Sequence, residues 1–383
     1  MSSDSTHSSK LLKVIHIAHP EYLPPSHTFV GARVLNPVCQ RPVPVITHHV
    51  TPQYANTKEI QFFALDTLNR FRRRIELGIG NHWHWYPYYY QVIRRVRPQI
   101  IHAHFSGAGE ACLWISQRLG IPLVINFYGI ETKYHLHDPF WIPRYKKMFV
   151  EAEWFVCSSR EMQSIMLDKG CPATKISVIP VSVDIDLFNG EPTPWNKNQT
   201  LRLLSIARLH PEKGLNYLLS ACRLLDEMGL TNWALRIIGI GTQESELKRQ
   251  ARECGIQSKV FFLGRKSPDE IVAELRRSHL MILPSLAESQ GLALQEAQAT
   301  CTPVIATNIG GIPEGVKHNE TGFLVDPQSP QAIFQALERF VEQPELFDVM
   351  GRAGRALVQE HFSRQKEYQE LAQLYRNLIY GSN

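Results

Sequence analysis

Two glutamates, Glu288 and Glu296, lie on either side of a glycine-bearing turn, with seven residues between them. Carboxylates accept hydrogen bonds from hydroxyl groups. Gly291 lets the backbone approach a ligand closely, and a helix that starts there presents N–H groups with no intrahelical partner, which bind anions. A diphosphate needs those N–H groups, whereas the sugar hydroxyls attached to it need carboxylates. These residue types and their spacing therefore indicate a nucleotide-sugar as the ligand.

The stretch 281–299 contains the elements that would position these groups. MILPS (281–285) is a short apolar run closed by a proline and a serine, which predicts a buried parallel strand. LALQEAQA (292–299) consists of strong helix formers. A helix that begins near Leu292 would place Glu296 one turn in, with its side chain leaning back toward the helix start.

This geometry predicts a contact for each part of the ligand. Glu296 accepts from the ribose hydroxyls, and Glu288 accepts from the transferred sugar. The diphosphate binds the backbone amides of four consecutive residues, Ser289, Gln290, Gly291 and Leu292. The simpler interpretation is an ordinary strand–helix unit with two solvated glutamates. That interpretation is fair for either glutamate alone, but it is weaker for a pair around a glycine turn.

Further motifs follow this stretch, namely TPVIATNIGGIPEGV (302–316) and ETGFLV (320–325). Together with the E-x7-E spacing they resemble the donor site of the family 4 retaining glycosyltransferases, as found in bacterial enzymes of exopolysaccharide and lipopolysaccharide synthesis. The resemblance implies the α/β fold called GT-B. In that fold two Rossmann-like domains with parallel sheets face a central cleft, and a C-terminal helix crosses back to the first domain.

The same resemblance implies more donor-binding residues in the second domain. Arg208 and Lys213 match the family's diphosphate-binding cations. A forked guanidinium and a point-charge ammonium can neutralise the charge that grows on a departing diphosphate. The alternative is two exposed cations on a loop. Six other residues fall at strand ends that would surround the nucleotide: Gly239, Gly241, Gly264, Arg265, Gly310 and Gly311.

Residues of the first domain are candidates for acceptor binding and catalysis. Ser26, Thr28 and Phe29 match an S-x-T-F segment that lines the acceptor cleft in polysaccharide-assembling members, although a capping serine and a core phenylalanine explain them equally well. Tyr128 is a candidate catalytic residue because it stands where the family often has a histidine near the anomeric centre; it can donate a hydrogen bond but cannot carry a cation near neutral pH. His104 is either a compensating group for the acceptor side or a hydrogen-bonded core histidine.

Residues 60–97 combine seven arginines with six Trp and Tyr residues. Arginine-rich helices beside aromatic rings suit an anionic membrane surface, and they equally suit an acceptor cleft in which rings stack on sugars. A solvated basic helix packed on an aromatic core is the other interpretation. The functional hypothesis is peripheral docking that gives access to a lipid-linked acceptor.

The composition limits the class of protein. A hydrophobic content of 44% and a charged content of 20% are those of a globular protein, and a net charge of +5 does not indicate a nucleic-acid partner. Seven scattered cysteines without metal-ligand spacing indicate reduced thiols in a cytosolic protein. No apolar run is long enough to span a bilayer. The expected location is therefore the cytoplasm, with peripheral contact at most on the inner face of the membrane.

The length of 383 residues suits two domains. The polar residues 1–10 predict a disordered tail rather than a signal peptide. The first domain is expected over 11–188, together with a returning helix within 363–383, and the second over 201–362. Residues 189–200 are rich in Pro, Asn and Gly and form the expected linker.

The expected reaction moves a sugar from a UDP- or GDP-sugar to a hydroxyl of a glycan or lipid-linked acceptor in cell-surface polysaccharide synthesis, with retention of configuration. No metal or other cofactor is expected, because no Asp-x-Asp follows a strand in the position that would hold one, and the two cations can take the role of magnesium. Three rivals remain: a glycosidase that uses the two glutamates, a nucleotide-sugar epimerase, and an inactive nucleotide-sugar-binding protein. The inactive binding protein remains possible because the chain departs from the family pattern at two places. It has Tyr128 in place of the histidine, and Val181-Ser182 in place of the family's Asn-Gly.

Overall fold

The computed structural model describes residues 11–381, apart from 19–20, 23–27, 51–57, 69 and 84–85. Two compact units divide the chain. The first contains the residues up to Pro180 and those from Glu367 onward, and the second contains Val181–Lys366. Each unit is built on its own parallel sheet.

The sheet of the first unit has seven described strands in the order β5-β3-β1-β6-β7-β8-β9, and every pair is parallel. β2 and β4 form a separate parallel pair. The apolar runs of the sequence form these strands because both faces of a parallel sheet are covered. Their bounds are β1 Val14–Ala18, β2 Glu21–Tyr22, β3 Val43–Thr47, β4 His49–Val50, β5 Ile60–Ala64, β6 Ile100–His104, β7 Leu123–Asn126, β8 Trp154–Cys157 and β9 Ile176–Val178.

Helices connect these strands and cover the sheet. Successive residues of a strand point to opposite faces, so Ile15 and Ile17 lie in one core and Val14 and Ala18 in the other. The helices are α1 Thr28–Val34, α2 Arg70–Trp83, α3 Pro87–Val96, α4 Ser106–Leu119, α5 Ile130–Lys133, α6 Ile142–Glu151 and α7 Arg160–Asp168.

The second unit contains six strands in the order β12-β11-β10-β13-β14-β15, all parallel. The strands are β10 Leu201–Ile206, β11 Trp233–Ile238, β12 Val260–Phe262, β13 Leu280–Leu283, β14 Val304–Thr307 and β15 Gly322–Val325. The helices are α8 Leu215–Glu227, α9 Glu244–Glu253, α10 Pro268–Arg277, α11 Leu292–Ala299, α12 Ile312–Gly315, α13 Pro330–Glu342 and α14 Leu346–His361. The two predicted Rossmann-like sheets are therefore confirmed.

The last helix, α15 (Arg364–Tyr380), ends in the first unit, as predicted. Leu371 and Tyr375 are fully buried in a core of that unit. Glu367 forms a buried ion pair with Arg33 of α1. Apolar burial and a paired charge thus hold the helix to the first sheet.

Residues 181–200 differ from expectation, since they belong to the second unit rather than to the first domain and a linker. The backbone N–H of Val183 donates to the carbonyl of Phe362 at 2.8 Å, and Asp184 pairs with Arg364 at 2.9 Å. Trp195 is buried in a core of the second unit. Pro, Asn and Gly suggested a linker, but burial of this one tryptophan ties the segment to the domain.

The basic aromatic segment 60–97 begins with strand β5, which was not predicted, and continues as α2 and α3. Tyr86 and Tyr89 are buried in the first core, with ring centroids 4.7 Å apart. Phe71 of α2 is instead 76% exposed. Within the part of the chain that the structure describes, no helix combines the length and apolarity that crossing a membrane requires.

Candidate functional site

The order of the second sheet reverses between β10 and β13, which are neighbours although three connections separate them in the chain. In open α/β sheets, ligands bind at the carboxyl ends of the strands beside such a reversal. The loop after β10 carries Arg208 and Lys213, and the turn after β13 carries Glu288. The fold therefore brings these three predicted residues to the same edge.

Close backbone approaches join the loops at this edge. Gly214 has a φ of 62°, and a side chain there would overlap the carbonyl of Pro284. Gly310 has a φ of 54°, and a side chain there would overlap the carbonyl of Glu288. Only glycine combines a left-handed conformation with such close approach at no steric cost. The two glycines thus allow the loops after β10 and β14 to pack on the turn after β13.

The loops after β11 and β12 complete the edge. The N–H of Leu209 donates to the carbonyl of Ile240 at 3.0 Å, and that of Gly239 donates to the carbonyl of Gly264 at 2.8 Å. Two more of the predicted donor-binding residues lie in these loops. Gly241 is in the loop after β11, and Arg265 is exposed in the loop after β12. The N–H of Gly311 bonds to the carbonyl of Glu288 at 3.3 Å.

Lys213 and Glu288 form an ion pair at the centre of the edge. The Lys213 Nζ lies 2.6 Å from the Glu288 Oε2, with the two side chains 12% and 17% exposed. The Ser285 hydroxyl donates to the same carboxylate oxygen at 3.3 Å. Because water screens a largely buried pair less than an exposed one, this contact fixes the ammonium beside the turn.

Arg208 has a carboxylate partner that sequence reasoning missed. Its Nη2 lies 2.7 Å from the Oε1 of Glu212, and the Arg208 side chain is 70% exposed whereas that of Glu212 is 12% exposed. The carbonyl of Glu212 also accepts from the N–H of Leu286 at 2.7 Å. The four-residue spacing of Arg208 and Glu212 was the only signal of this ion pair in the sequence. Outside helices, residues at that spacing often make no contact.

Helix α11 begins at Leu292, where the sequence predicted it. Its N-cap residue, Gly291, has a φ of 81° and no side chain to bond the first N–H groups. Glu296 is half-buried one turn further on, and burial raises its pKa to about 8. The raised pKa favours the protonated carboxyl group, which can both donate and accept hydrogen bonds.

The turn residues Ser289 and Gln290 differ from each other. Ser289 is half-buried on the turn. The side chain of Gln290 is buried, with its Oε1 accepting from the N–H of Val181 at 2.8 Å. Gln290 therefore supports the turn with its side chain and would offer only its backbone to a ligand.

In the first unit, Tyr128 and His104 are hydrogen-bonded to each other. The Tyr128 hydroxyl lies 2.7 Å from the His104 Nδ1, and the His104 Nε2 lies 3.1 Å from the His16 Nδ1. Burial lowers the pKa of His104 well below its usual range, so the ring is neutral and holds the tyrosine hydroxyl in one direction. Thr28 and Phe29 begin helix α1, whereas Ser26 lies outside the described residues.

His102 completes a group of three buried histidines with His16 and His104. One ring nitrogen from each lies within 4.8 Å of the others, a spacing that a metal ion could bridge. However, the Nδ1 of His102 lies 2.5 Å from the Tyr375 hydroxyl, and the other two rings bond to each other. Hydrogen bonds therefore occupy one ring nitrogen each of His16 and His102 and both ring nitrogens of His104.

Glu131 shapes the loop that follows β7, a role that the sequence did not reveal. Its buried carboxylate accepts from the N–H groups of Tyr128 and Gly129, each at 3.1 Å, and from that of Ser106 at 3.2 Å. Burial raises the pKa of Glu131, and these backbone bonds oppose the rise. The glutamate thus connects the loop at Tyr128 to the start of α4.

Two family models match the chain. The model described as Glycosyltransferase Family 4 matches residues 14–187, and the model described as Glycosyl transferases group 1 matches residues 191–357. Together they cover both units.

Curated relatives and solved structures agree with these matches. The putative colanic acid biosynthesis glycosyltransferase WcaL of Escherichia coli is 31% identical over 300 residues, which are 75% of this chain and 73% of that protein. The amylovoran biosynthesis glycosyltransferase AmsK of Erwinia amylovora is 32% identical over 240 residues, which are 61% of this chain and 58% of that protein. The structure of HepE from Anabaena in complex with UDP and glucose superposes with a TM-score of 0.78 at 18% identity, covering 95% of this chain and 99% of that one. That similarity concerns the fold.

Proposed function

The chain belongs to the family 4 glycosyltransferases and has their GT-B fold, and from this premise we propose that it transfers a sugar from a nucleotide-diphosphate sugar to an acceptor hydroxyl. The proposed donor is a UDP- or GDP-sugar. The proposed acceptor is a glycan or a lipid-linked glycan in cell-surface polysaccharide synthesis. The transfer retains the anomeric configuration and needs no metal ion.

One observation carries the proposal. Lys213, its partner Glu288 and Arg208 lie at the carboxyl ends of β10 and β13, beside the start of α11. Two cations and a helix N-terminus together suit a diphosphate. A glycosidase has no use for such a combination, so it supports a donor that carries phosphate.

Each side chain at this edge has a distinct role in the proposal. Arg208 and Lys213 neutralise the negative charge that develops on the diphosphate as the bond to the anomeric carbon breaks. The backbone amides from Ser289 to Leu292 bind the same phosphates. Glu288 orients the transferred sugar, and Glu296 binds the ribose.

The proton balance requires no separate general base. The acceptor hydroxyl oxygen forms the new bond to the anomeric carbon, and its proton passes to the phosphate oxygen that leaves on the same face. In the first unit, Tyr128 is the proposed catalytic contributor, held by His104 and by the Glu131 loop.

The nature of the acceptor is supported by two indirect observations. WcaL and AmsK are named for the synthesis of colanic acid and amylovoran. In addition, α2 and α3 carry exposed arginines, with Phe71 exposed beside them. Contact of residues 60–97 with anionic lipid on the cytoplasmic face would give the enzyme access to a lipid-linked acceptor.

The donor assignment is tested by thermal-shift and calorimetric binding with UDP, GDP and ADP and their sugars. One of these nucleotides should bind the wild-type protein and raise its melting temperature. Binding should vanish in an Arg208→Ala, Lys213→Ala double variant that keeps its circular dichroism spectrum. The matched control is Arg223→Ala, Lys248→Ala, which removes two surface cations paired with Glu227 and Glu244.

Turnover assays separate the remaining alternatives. Transfer to an acceptor, with release of the nucleoside diphosphate, supports the glycosyltransferase. Conversion of the donor with no acceptor present would instead favour an epimerase. Binding without turnover on any glycan or lipid-linked acceptor would favour an inactive sugar-nucleotide receptor, and no binding of any nucleotide would refute the donor site itself.

A further inference from the structure

We infer that Glu212 is a positioning residue that limits how tightly the site holds a nucleoside diphosphate, so that this product can leave after transfer. The inference rests on the proposed function, because it assigns the diphosphate to Arg208 and Lys213. Glu212 is not one of the residues that the sequence predicted for the site.

The carboxylate of Glu212 is more deeply buried than the guanidinium that it contacts. Glu212 is 12% exposed while Arg208 is 70% exposed, and their charged atoms lie 2.7 Å apart. The backbone carbonyl of Glu212 accepts from Leu286 in the segment after β13. Glu212 is therefore anchored next to the turn of Glu288, and its carboxylate holds the exposed guanidinium of Arg208 in one direction.

The two predicted diphosphate-binding cations each have a carboxylate partner at the edge. Arg208 pairs with Glu212, and Lys213 pairs with Glu288, so the four side chains carry no net formal charge. A diphosphate that binds both cations must share each of them with a carboxylate. Like charges close together raise the free energy of the bound state, so Glu212 weakens diphosphate binding while it orients Arg208.

A second pair in the same unit shows what an ordinary surface contact looks like. Arg223 and Glu227 have the same spacing and the same 2.7 Å separation, but they lie on the exposed face of α8, with side chains 57% and 48% exposed. Exposed pairs of this kind contribute little. Glu227→Gln is therefore a control that removes an equivalent charge away from the site.

The test compares Glu212→Gln, Glu212→Ala and Glu227→Gln with the wild type by calorimetric titration of UDP, GDP, UMP and GMP. Glu212→Gln keeps an oxygen that accepts from Arg208 but removes the negative charge. We expect it to bind the preferred diphosphate about three- to tenfold more tightly, with a change below about twofold for the monophosphate. Glu227→Gln should match the wild type for all four nucleotides.

Glu212→Ala separates orientation from charge. It removes the negative charge and the hydrogen-bond acceptor, so Arg208 loses its fixed direction and the gain in affinity should be smaller than in Glu212→Gln. In steady-state transfer assays, Glu212→Gln should lower both KM for the donor and kcat, because the diphosphate leaves more slowly. Loss of structure alone would weaken binding and would not produce tighter binding of the diphosphate.

The outcomes distinguish this inference from the proposed function. Diphosphate binding that depends on Arg208 and Lys213, but is unchanged or weaker in a folded Glu212→Gln, overturns the inference and leaves the donor site in place. If no nucleotide binds the wild type, or if binding survives the loss of both cations, the proposed function is wrong and the inference fails with it. Tighter diphosphate binding in Glu212→Gln, with no such change in Glu227→Gln, supports both the inference and the proposed function.

Discussion

The side chain of Gln290 bonds to both backbone polar groups of Val181. Its Oε1 accepts from the Val181 N–H at 2.8 Å, and its Nε2 donates to the Val181 carbonyl at 2.7 Å. Val181 is the first residue of the second unit, directly after the chain leaves the first at Pro180. One amide group therefore ties the predicted donor turn to the start of its domain.

Gln290→Ala should destabilise the second unit by about 2–4 kcal/mol, because it leaves two buried backbone groups of Val181 without these partners. Gln290→Glu should cost at least as much, since a carboxylate cannot donate to the Val181 carbonyl. Urea unfolding followed by tryptophan fluorescence measures the loss. Gln257→Ala, at an exposed position, is the control and should change the stability by less than about 0.5 kcal/mol. Equal effects at both positions would show that the double hydrogen bond contributes nothing.

The Lys213–Glu288 pair should be coupled in a double-mutant cycle. Both side chains are largely buried at the sheet edge, so we expect a coupling free energy of about 1–2 kcal/mol from Lys213→Met, Glu288→Gln and the double variant. The exposed pair Arg223–Glu227 should give about 0.2–1 kcal/mol in the same measurement. Additive losses at Lys213 and Glu288 would mean that their contact is not energetically significant.

The elements that position the site were predictable because each produces a local pattern. β13 was expected at 281–285 and runs from Leu280 to Leu283, and α11 starts at Leu292 as expected. Buried parallel strands are continuous apolar runs, and a glycine followed by strong helix formers marks a helix start. β5 was missed because the arginines that follow it made the whole segment resemble a basic helix.

Pairings across the fold could not be predicted in the same way. Gln290 bonds to Val181, 109 residues earlier in the chain, and Glu131 bonds to Ser106, 25 residues earlier. Strand order brings these partners together, and no spacing in the sequence reports such distances. Trp195 is a related case. The composition around it predicted a linker, but its side chain is buried in a core of the second unit. The site residues could be predicted because they follow strand ends in the sequence. The residues that support them could be identified only from the structure.

The buried pair Arg33–Glu367 should be essential for holding α15 to the first unit. Both side chains are almost fully buried, and the guanidinium also donates to the carbonyl of Ile179 at 2.7 Å. Glu367→Gln leaves a buried cation without its counter-charge and should cost about 3–5 kcal/mol. In this variant the backbone amides of residues 367–381 should exchange hydrogen faster, and the melting temperature should be lower. Lys366→Gln, at an exposed position of the same helix, should alter neither the hydrogen exchange nor the melting temperature. Unchanged hydrogen exchange in Glu367→Gln would show that the ion pair does not hold α15 to the first unit.

Tyr128→Phe tests whether the hydroxyl held by His104 contributes to transfer. The variant loses the partly buried hydrogen bond between this hydroxyl and His104, and a bond of this kind contributes about 0.5–1.5 kcal/mol to stability. Because Tyr128 belongs to the first unit and the donor residues to the second, diphosphate affinity should stay within about twofold of the wild type while kcat falls at least about tenfold. Tyr134→Phe removes an exposed tyrosine hydroxyl of the same region and serves as the control. A wild-type kcat in folded Tyr128→Phe would exclude a catalytic role for the hydroxyl.

Glu296 should make the stability of the second unit depend on pH. Burial raises its pKa to about 8, from an ordinary value of 4.5, so the folded protein keeps a proton that the unfolded chain loses as the pH rises. This contribution to stability is complete below the ordinary pKa, falls through the interval between the two values, and is lost above about 8. Glu296→Gln carries no such proton, so its stability relative to the wild type should rise between pH 5 and pH 8 by on the order of a few kcal/mol. Urea unfolding at three pH values in this interval measures the difference, with the exposed Glu342→Gln as the control. A difference that stays constant across the interval would show that Glu296 is already ionised in the folded protein.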